Sequence, residues 1–552
     1  MFKIIRLTEF FLRSLSKKMA VTFFLMTVLL LLVLSVPGVP DAAGREETRD
    51  AYVHSGISDA RILIPFLADD SVSGSICSYI YNGLTKVDKD LNIVGDLAES
   101  WEIEDEGLSI TFHLRKGVKW HDGEPFTSRD VRFTYEKILA PETRCPYVSS
   151  YADISGISTP DEHTIRFTYK VPYAPALLKF GMGIIPEHLF EKTEEIQRSS
   201  YARDPVGTGP YIFSAWENAQ YIVLRANEEY FEHVPFIKRY VYKIVPDQSV
   251  QFLELISGNI DSIDLNPYQF IYRSNTPEFK ERIDKYKYLA HSYTYLGYNN
   301  ESPIFSDKRV RKALSYAINK EEIIKTVLLG LGEKCSGPFL KGTSYYNKSA
   351  RTYEYDPIKA AVLLREAGWY DIDGDGILEK EGKEFRIKIL TNQGNQVRED
   401  AATIVQEQWA KLGVKVEIQV IAWSAFLDQF IEKRDFQVVL LGWTIPIDPD
   451  IYAVWHTSSS APGGLNFVSY SNKEVDRLIE EGRRELKIEK REDIYRKIHE
   501  LIAEDAPYTF LFFPYATPAV QKRFQGIKPE LAGIGYNFID WYVPEDEVKY
   551  RF

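Results

Sequence analysis

The chain has 552 residues, 45% hydrophobic and 26% charged. That is globular composition, with length for about three or four domains. A formal net charge of −12 at pH 7 argues against a nucleic-acid partner, because phosphate binding needs a basic face.

Lys3, Arg6, Arg13, Lys17 and Lys18 precede an apolar run over residues 20–36, and the small residues Ala42, Ala43 and Gly44 follow. This is the order of a secretory signal. Residues 1–44 are read as a signal peptide or, if uncleaved, an N-terminal anchor, since a span needs about 20 apolar residues. Both readings export the rest of the chain. No cysteine follows the run, so a lipid anchor is not expected, and no comparable run follows, so the chain is not itself a channel. Cys77, Cys145 and Cys335 are odd in number and too widely spaced for a zinc site, and read as buried or incidental thiols.

From Ala51 onward the pattern is mixed α/β. Ser109–Leu114 and Thr164–Tyr169 alternate apolar and polar residues and read as strands. Between them, Thr127 and Asp130 fit a capping box for a helix over Ser128–Leu139. Ser306 or Asp307 caps a helix whose face is Val310, Ala313, Leu314, Ala317 and Ile318. Asp356 and Pro357 start another, which Gly368 closes. Then come a strand at 385–390, a helix at 399–412 ended by Gly413, a strand at 414–420, a short helix at 424–433 and an apolar strand at 436–441. Strands alternating with helices imply parallel pairing.

Ligands of open α/β sheets sit beyond the carboxyl ends of the strands. Residues 442–450, Gly-Trp-Thr-Ile-Pro-Ile-Asp-Pro-Asp, occupy that place. Trp443, Asp448 and Asp450 are therefore candidate ligand-binding residues; the competing reading is a surface turn.

Several motifs share an order along nearly the whole chain: Leu-Ala-Glu-Ser-Trp at 97–101, Phe112 to Thr127 with Gly-Val-Lys-Trp-His-Asp-Gly-Glu-Pro-Phe-Thr, Val-Gly-Thr-Gly-Pro-Tyr at 206–211 and Arg-Val-Arg-Lys-Ala-Leu at 309–314. Trp369 with Asp-Gly-Asp-Gly-Ile at 373–377, Gly442-Trp443, Asp-Pro-Asp at 448–450, Tyr-Ser-Asn at 470–472 and Glu-Asp-Ala-Pro at 504–507 complete the set. With these the chain resembles the family 5 extracellular solute-binding proteins, the peptide- and nickel-type periplasmic binding proteins of ABC importers. The resemblance implies a two-lobed α/β periplasmic-binding-protein-like fold (type II, cluster C), with mixed sheets, flanking helices and a ligand cleft between lobes. It places lobe one at 45–292 with 510–552 returning to it, lobe two at 293–509, and the crossings near 292–296 and 510–513. It also implies a periplasmic, monomeric protein that closes on a solute, docks on ABC permease subunits and releases its cargo, with no cofactor and no catalysis.

A peptide is the first expectation for that solute. The aspartate with which peptide-binding members hold the ligand amine is Pro446 here. Asp448 is the substitute, through a charge-assisted bond to an ammonium group, or else caps a turn. Oligosaccharides, opine-like compounds and metal chelates stay open. Residues 117–127 and 207–211 read as structural turns, the latter using glycine at positive φ.

Other features give weaker signals. Trp423 follows a strand as Trp443 does, and Tyr79 and Tyr81 are candidates from lobe one; flat rings suit peptide side chains or sugar faces. Asp371, Asp373, Asp375, Gly376 and Glu379 match part of a calcium loop, but position twelve is Gly382, and the stretch reads as a polar hairpin turn with no metal. A hydrolase finds no support: there is no Gly-x-Ser-x-Gly elbow, and His499-Glu500 lacks the second ligand at Ala503 and reads as the solvated face of a helix.

Overall fold

The structure is a computed structural model that describes residues 50–190 and 195–550. The signal or anchor reading of residues 1–44 lies outside the described residues. Among the described residues no helix is long and apolar enough to cross a membrane.

Two mixed seven-stranded sheets carry the fold. In the first, the spatial order is Ile283–Lys285, Pro518–Gln521, Ser262–Asp264, Ala51–Gly56, Arg239–Ile244, Tyr221–Ala226 and Tyr211–Glu217. Ala51–Gly56 runs parallel to Arg239–Ile244. Side chains of successive residues leave a strand on opposite faces. Tyr52, Tyr240 and Tyr242 therefore enter one apolar core, while Val53 and Val241 reach another.

A separate four-stranded antiparallel sheet sits in the same lobe. Ser109–Leu114 and Thr164–Tyr169 are neighbours in it, and Ile110, Phe112, Leu114, Ile165, Phe167 and Tyr169 form its buried face. Helix Ser128–Leu139 packs on this sheet. Its capping box is formed: the Thr127 N–H donates to Asp130 Oδ2 at 2.9 Å, and the Thr127 hydroxyl accepts from the Arg129 N–H at 3.3 Å. The ring of Phe180 lies 4.7 Å from Phe112 and 4.5 Å from Phe167. Burying each such ring contributes about 1.5–3 kcal/mol.

In the second sheet the order is Tyr288–Leu289, Tyr508–Ala516, Ser292–Tyr298, Val438–Thr444, Arg386–Asn392 and Lys415–Ile421, with Gly332–Lys334 also on Tyr508–Ala516. The parallel unit read from the sequence is present. Arg386–Asn392 is parallel to both Lys415–Ile421 and Val438–Thr444. Helix Gln396–Ala410 makes one crossover, and Trp423–Phe426, running on as a π turn over Leu427–Ile431, makes the other. Val438 and Leu440 enter one core, Val439 and Leu441 the opposite one. A strand buried on both faces reads as an unbroken apolar run. The crossover helix begins at Gln396, not 399, because Asn395 caps it, its side-chain oxygen accepting from the Arg398 N–H at 3.1 Å. That start puts Arg398 in the first turn.

The apolar cores divide with the sheets. Two are built from residues 52–283 and 519–541, and two from residues 293–513. The chain leaves the first sheet after Lys285, enters the second at Tyr288, and returns between Ala516 and Pro518. The resemblance put these crossings near 292–296 and 510–513. The short strands Ile283–Lys285 and Tyr288–Leu289 carry no apolar run that marks them. The two connecting segments are hydrogen-bonded to each other, the Tyr286 N–H donating to Pro518 O at 2.9 Å.

Two signature stretches lock together, as structural turns should. The His121 N–H donates to Gly207 O at 2.9 Å, the Gly207 N–H to His121 Nδ1 at 3.2 Å, and His121 Nε2 lies 3.0 Å from Gly209 O. Desolvation lowers the His121 imidazole to about 4, so it is neutral. The glycines are not needed for positive φ, which neither Gly207 nor Gly209 adopts. They are needed for close approach: a Cβ on Gly207 would lie 1.9 Å from Ile80 O, and one on Gly209 2.5 Å from Ile80 C. This contact fixes the end of helix Ser71–Ile80 beside the cavity described next.

Candidate ligand-binding cavity

A cavity of about 2410 Å³ lies between the two sheets. The carboxyl ends of the three parallel strands open onto it. They deliver Asn392, then Trp423 just beyond Ile421, and Gly442 to Thr444. The first lobe contributes Tyr52, His54, Tyr79, Tyr240 and Tyr242. Burial lowers the His54 imidazole, which shares a 2.7 Å hydrogen bond with Ser262 Oγ.

Trp443, Trp423 and Tyr79 all line this cavity. Trp443 is half-buried in the end of Val438–Thr444, so the strand extends into the segment read as a loop. Its Nε1–H donates to the Tyr508 hydroxyl at 3.2 Å. Tyr79 packs 4.7 Å from the Tyr240 ring, and burial pushes its phenol to about 12. Tyr81 is elsewhere. The helix stops at Ile80, the backbone turns extended, and the Tyr81 ring enters the core with its hydroxyl donating to Leu63 O at 3.1 Å.

The carboxylates of the Gly-Trp loop are both engaged within the protein. Asp448 receives Arg491 as a fork, Nη1 to Oδ2 and Nη2 to Oδ1, each at 2.7 Å. Asp448 Oδ1 also accepts the Asp450 N–H at 2.8 Å, and the residue does not line the cavity. The expected ligand-ammonium partner is thus a satisfied structural group. Asp450 lines the cavity yet its side chain is only 2% exposed. It accepts from the Tyr173 hydroxyl at 3.0 Å and the Tyr452 N–H at 3.2 Å, with Arg483 Nε 3.5 Å away. Burial pushes its carboxyl up, but Arg483, Lys179 and these donors outweigh that and hold it below the usual carboxylate range.

A model described as "Bacterial extracellular solute-binding proteins, family 5 Middle" matches residues 92–464. The chain belongs to this family. It is 34% identical over 512 residues to oligopeptide-binding protein AppA of Bacillus subtilis (strain 168), covering 91% of this chain and 93% of that one. The solved structure of AppA with a nonapeptide matches with a TM-score of 0.86 at 33% identity, over 91% of this chain and 100% of that chain. NikZ from Campylobacter jejuni, solved with Ni(L-His), gives 0.81 at 28% identity, over 90% and 99%. DppA from Helicobacter pylori, solved with the peptide STSA, gives 0.81 at 28%, over 90% and 98%. The two-lobed α/β fold expected of a family 5 solute-binding protein is the fold observed.

In this family 5 protein the structure adds residues that the sequence did not single out. Tyr173 touches Asp450 from the other lobe. Arg61 Nη2 reaches Asp428 Oδ1 and Glu432 Oε1 across the cavity, each at 2.6 Å. Arg398 lines the cavity from the first turn of its helix. None carries a motif, and the partners of Tyr173 and Arg61 across the cavity lie 277 or more residues away in sequence.

The remaining sequence candidates lie outside the cavity. Ligand oxygens of Asp371, Asp373, Asp375 and Glu379 lie within 4.8 Å of one another, but they accept backbone N–H groups of their own turn, beside the hairpin Glu379–Lys380 and Lys383–Glu384. His499 is fully buried, not on a solvated face. It follows Tyr495 and Ile498 on the inward stripe of Ile488–Asp505, and desolvation lowers its imidazole to about 4. All three cysteines are buried and free, as read.

Proposed function

We propose that this protein is the substrate-binding component of an ABC importer, a monomer held on the periplasmic side of the cytoplasmic membrane, which captures an oligopeptide and delivers it to permease subunits. The observation that carries the ligand class is the cavity volume of about 2410 Å³. Pockets for drug-sized ligands run from about 300 to 1,000 Å³. A chain of several residues fills the larger space; a dipeptide or a metal chelate leaves most of it to water. The nonapeptide held by AppA supports the same reading. Trp423, Trp443 and Tyr79 offer flat apolar faces for side chains of varied identity.

A ligand that touches both lobes binds the closed arrangement best and shifts the population toward it. Closure is then the signal that a permease reads. No bond is made or broken in the cargo: the cavity residues act as wall and anchors. Mass spectrometry of small molecules released from the purified, denatured protein tests this. Peptides of several residues are expected. A cargo without peptide bonds, or turnover of the captured compound, overturns the proposal.

A further inference from the structure

Single apolar side chains on a protein surface are ordinary, but a cluster of them marks a contact site. Lobe one carries such a cluster outside the main cavity. Tyr268 and Tyr272 are 58% and 57% exposed, with ring centroids 5.4 Å apart. The π turn Gln269–Arg273 is pinned to helix Gln248–Ser257, Gln269 Nε2 donating to Gln248 O at 2.7 Å. Arg273 lies over the Phe252 ring of the same helix, and that helix leaves Val250 and Leu253 exposed.

A second, smaller cavity of about 420 Å³ begins at this turn. One wall is Ile271 and Tyr272 of lobe one. The other is Ile324, Lys325 and Leu329 of lobe two, from helix Lys320–Thr326 and the turn after it. None of the five lines the main cavity. Because the two walls belong to different lobes, the width of this groove is set by the angle between them. A partner that fills it therefore reads closure directly.

The exposed charge beside these apolar walls is positive. Arg273 and Lys325 stand one on each lobe, and among the described residues neither is in an ion pair. The lining carboxylate, Glu321, is engaged by Lys334 at 3.0 Å. The chain as a whole has a net charge of −12, so the groove is a local reversal of sign. Its complement is an apolar tip flanked by carboxylates.

We propose that this groove is where the closed protein docks on its permease, through a permease loop that seats an apolar tip between Tyr272 and Leu329 and sets carboxylates against Arg273 and Lys325. The choice of a permease as occupant rests on the function proposed above; the groove is tested separately. An anionic lipid surface would meet the same rings and cations, but a flat surface makes no use of a wall on each lobe, whereas a protein loop does.

The experiment places a photoreactive residue at Tyr272 of the full chain, in the cells that make it, and identifies the captured molecules by mass spectrometry. Companion versions carry it at Ile103 in lobe one and at Ile358 in lobe two, both exposed and outside the groove. The Tyr272 position is expected to capture a membrane subunit of an ABC importer. Arg273→Glu combined with Lys325→Glu is expected to lower that yield about tenfold or more, since each reversal sets like charges together. Melting curves and calorimetric affinity for the cargo that the wild-type protein releases are expected to hold, because neither side chain lines the main cavity. Capture of lipid alone at Tyr272 overturns the proposal in favour of a membrane surface. Undiminished capture by the doubly reversed protein overturns the acidic partner. A permease captured from Ile103 or Ile358 but not from Tyr272 overturns the groove and leaves the importer reading standing. If none of the three positions captures a permease subunit, the importer reading falls with the groove.

Discussion

The two lobes meet beside the cavity at two charged contacts that differ in their exposure to water. At one, the side chains of Asp450 and Arg483 are 2% and 8% exposed, and the Tyr173 hydroxyl reaches the carboxylate from the other lobe. At the other, Arg61 bridges to Asp428 and Glu432, whose side chains are 55% and 52% exposed. Solvent and salt weaken an exposed pair far more than a buried one. The same chemical groups therefore do different work: the Tyr173 contact acts as a fixed part of the apposed lobes, and the Arg61 contact as an adjustable one. The Asp450 carboxyl titrates below its unfolded value, so its contribution stands at neutral pH and is lost only as pH falls through that depressed value.

The comparison breaks first at Asp450. Asp450→Asn leaves the Arg483 guanidinium buried without its counter-charge, and the expected loss is about 3–5 kcal/mol of stability, read as a lower melting temperature. An unchanged melting temperature would mean that Arg483 is satisfied by other groups and that the buried contact is no stronger than the exposed one. Tyr173→Phe is the sharper cut, because it removes one hydrogen bond between the lobes and leaves Asp450 with Arg483. Its expected cost is about 1.5–3 kcal/mol, the range for a hydrogen bond to a charged group. That cost falls on closure, not on folding: ligand affinity drops about tenfold or more while the melting temperature of the free protein holds. Small-angle scattering of the ligand-free variant checks it, with a more extended molecule as the expected result.

These contacts also show what a sequence can and cannot disclose. The parallel unit is legible because residues 438–441 form an unbroken apolar run, Lys415–Ile421 alternates apolar and polar residues, and Gly413 stops the crossover helix between its strands. Trp443 and Trp423 are legible as cavity residues because they follow parallel strands. Long-range pairing is not legible. Arg491 lies 43 residues beyond Asp448, and Tyr173 lies 277 residues before Asp450. Nothing local announces that either carboxylate is already satisfied. Arg398 falls one residue outside the helix read at 399–412; the Asn395 cap puts it in the first turn, and the bare Cα of Gly442 leaves it room at the cavity. His499 fails in the opposite direction, a histidine beside an exposed glutamate that the helix turns into the core.

A substitution in the cavity wall separates binding from closure. Trp443→Ala touches neither inter-lobe contact, and it is expected to weaken ligand binding about tenfold through the lost ring surface. An unchanged affinity in calorimetry would remove Trp443 from the site. The smallest effect is expected at Arg61. Each exposed pair is worth about 0.2–1 kcal/mol, so Arg61→Ala lowers affinity by a few-fold at low salt. At 1 M salt, where the Debye length is about 3 Å, the wild-type protein is expected to fall to the same affinity as the variant, while the deficit of Tyr173→Phe persists. Salt dependence is thus the property that distinguishes the contacts, since both involve carboxylates and both span the lobes. If the Arg61→Ala deficit survives in 1 M salt, that contact is as protected as the Tyr173 one, and static exposure does not rank the two.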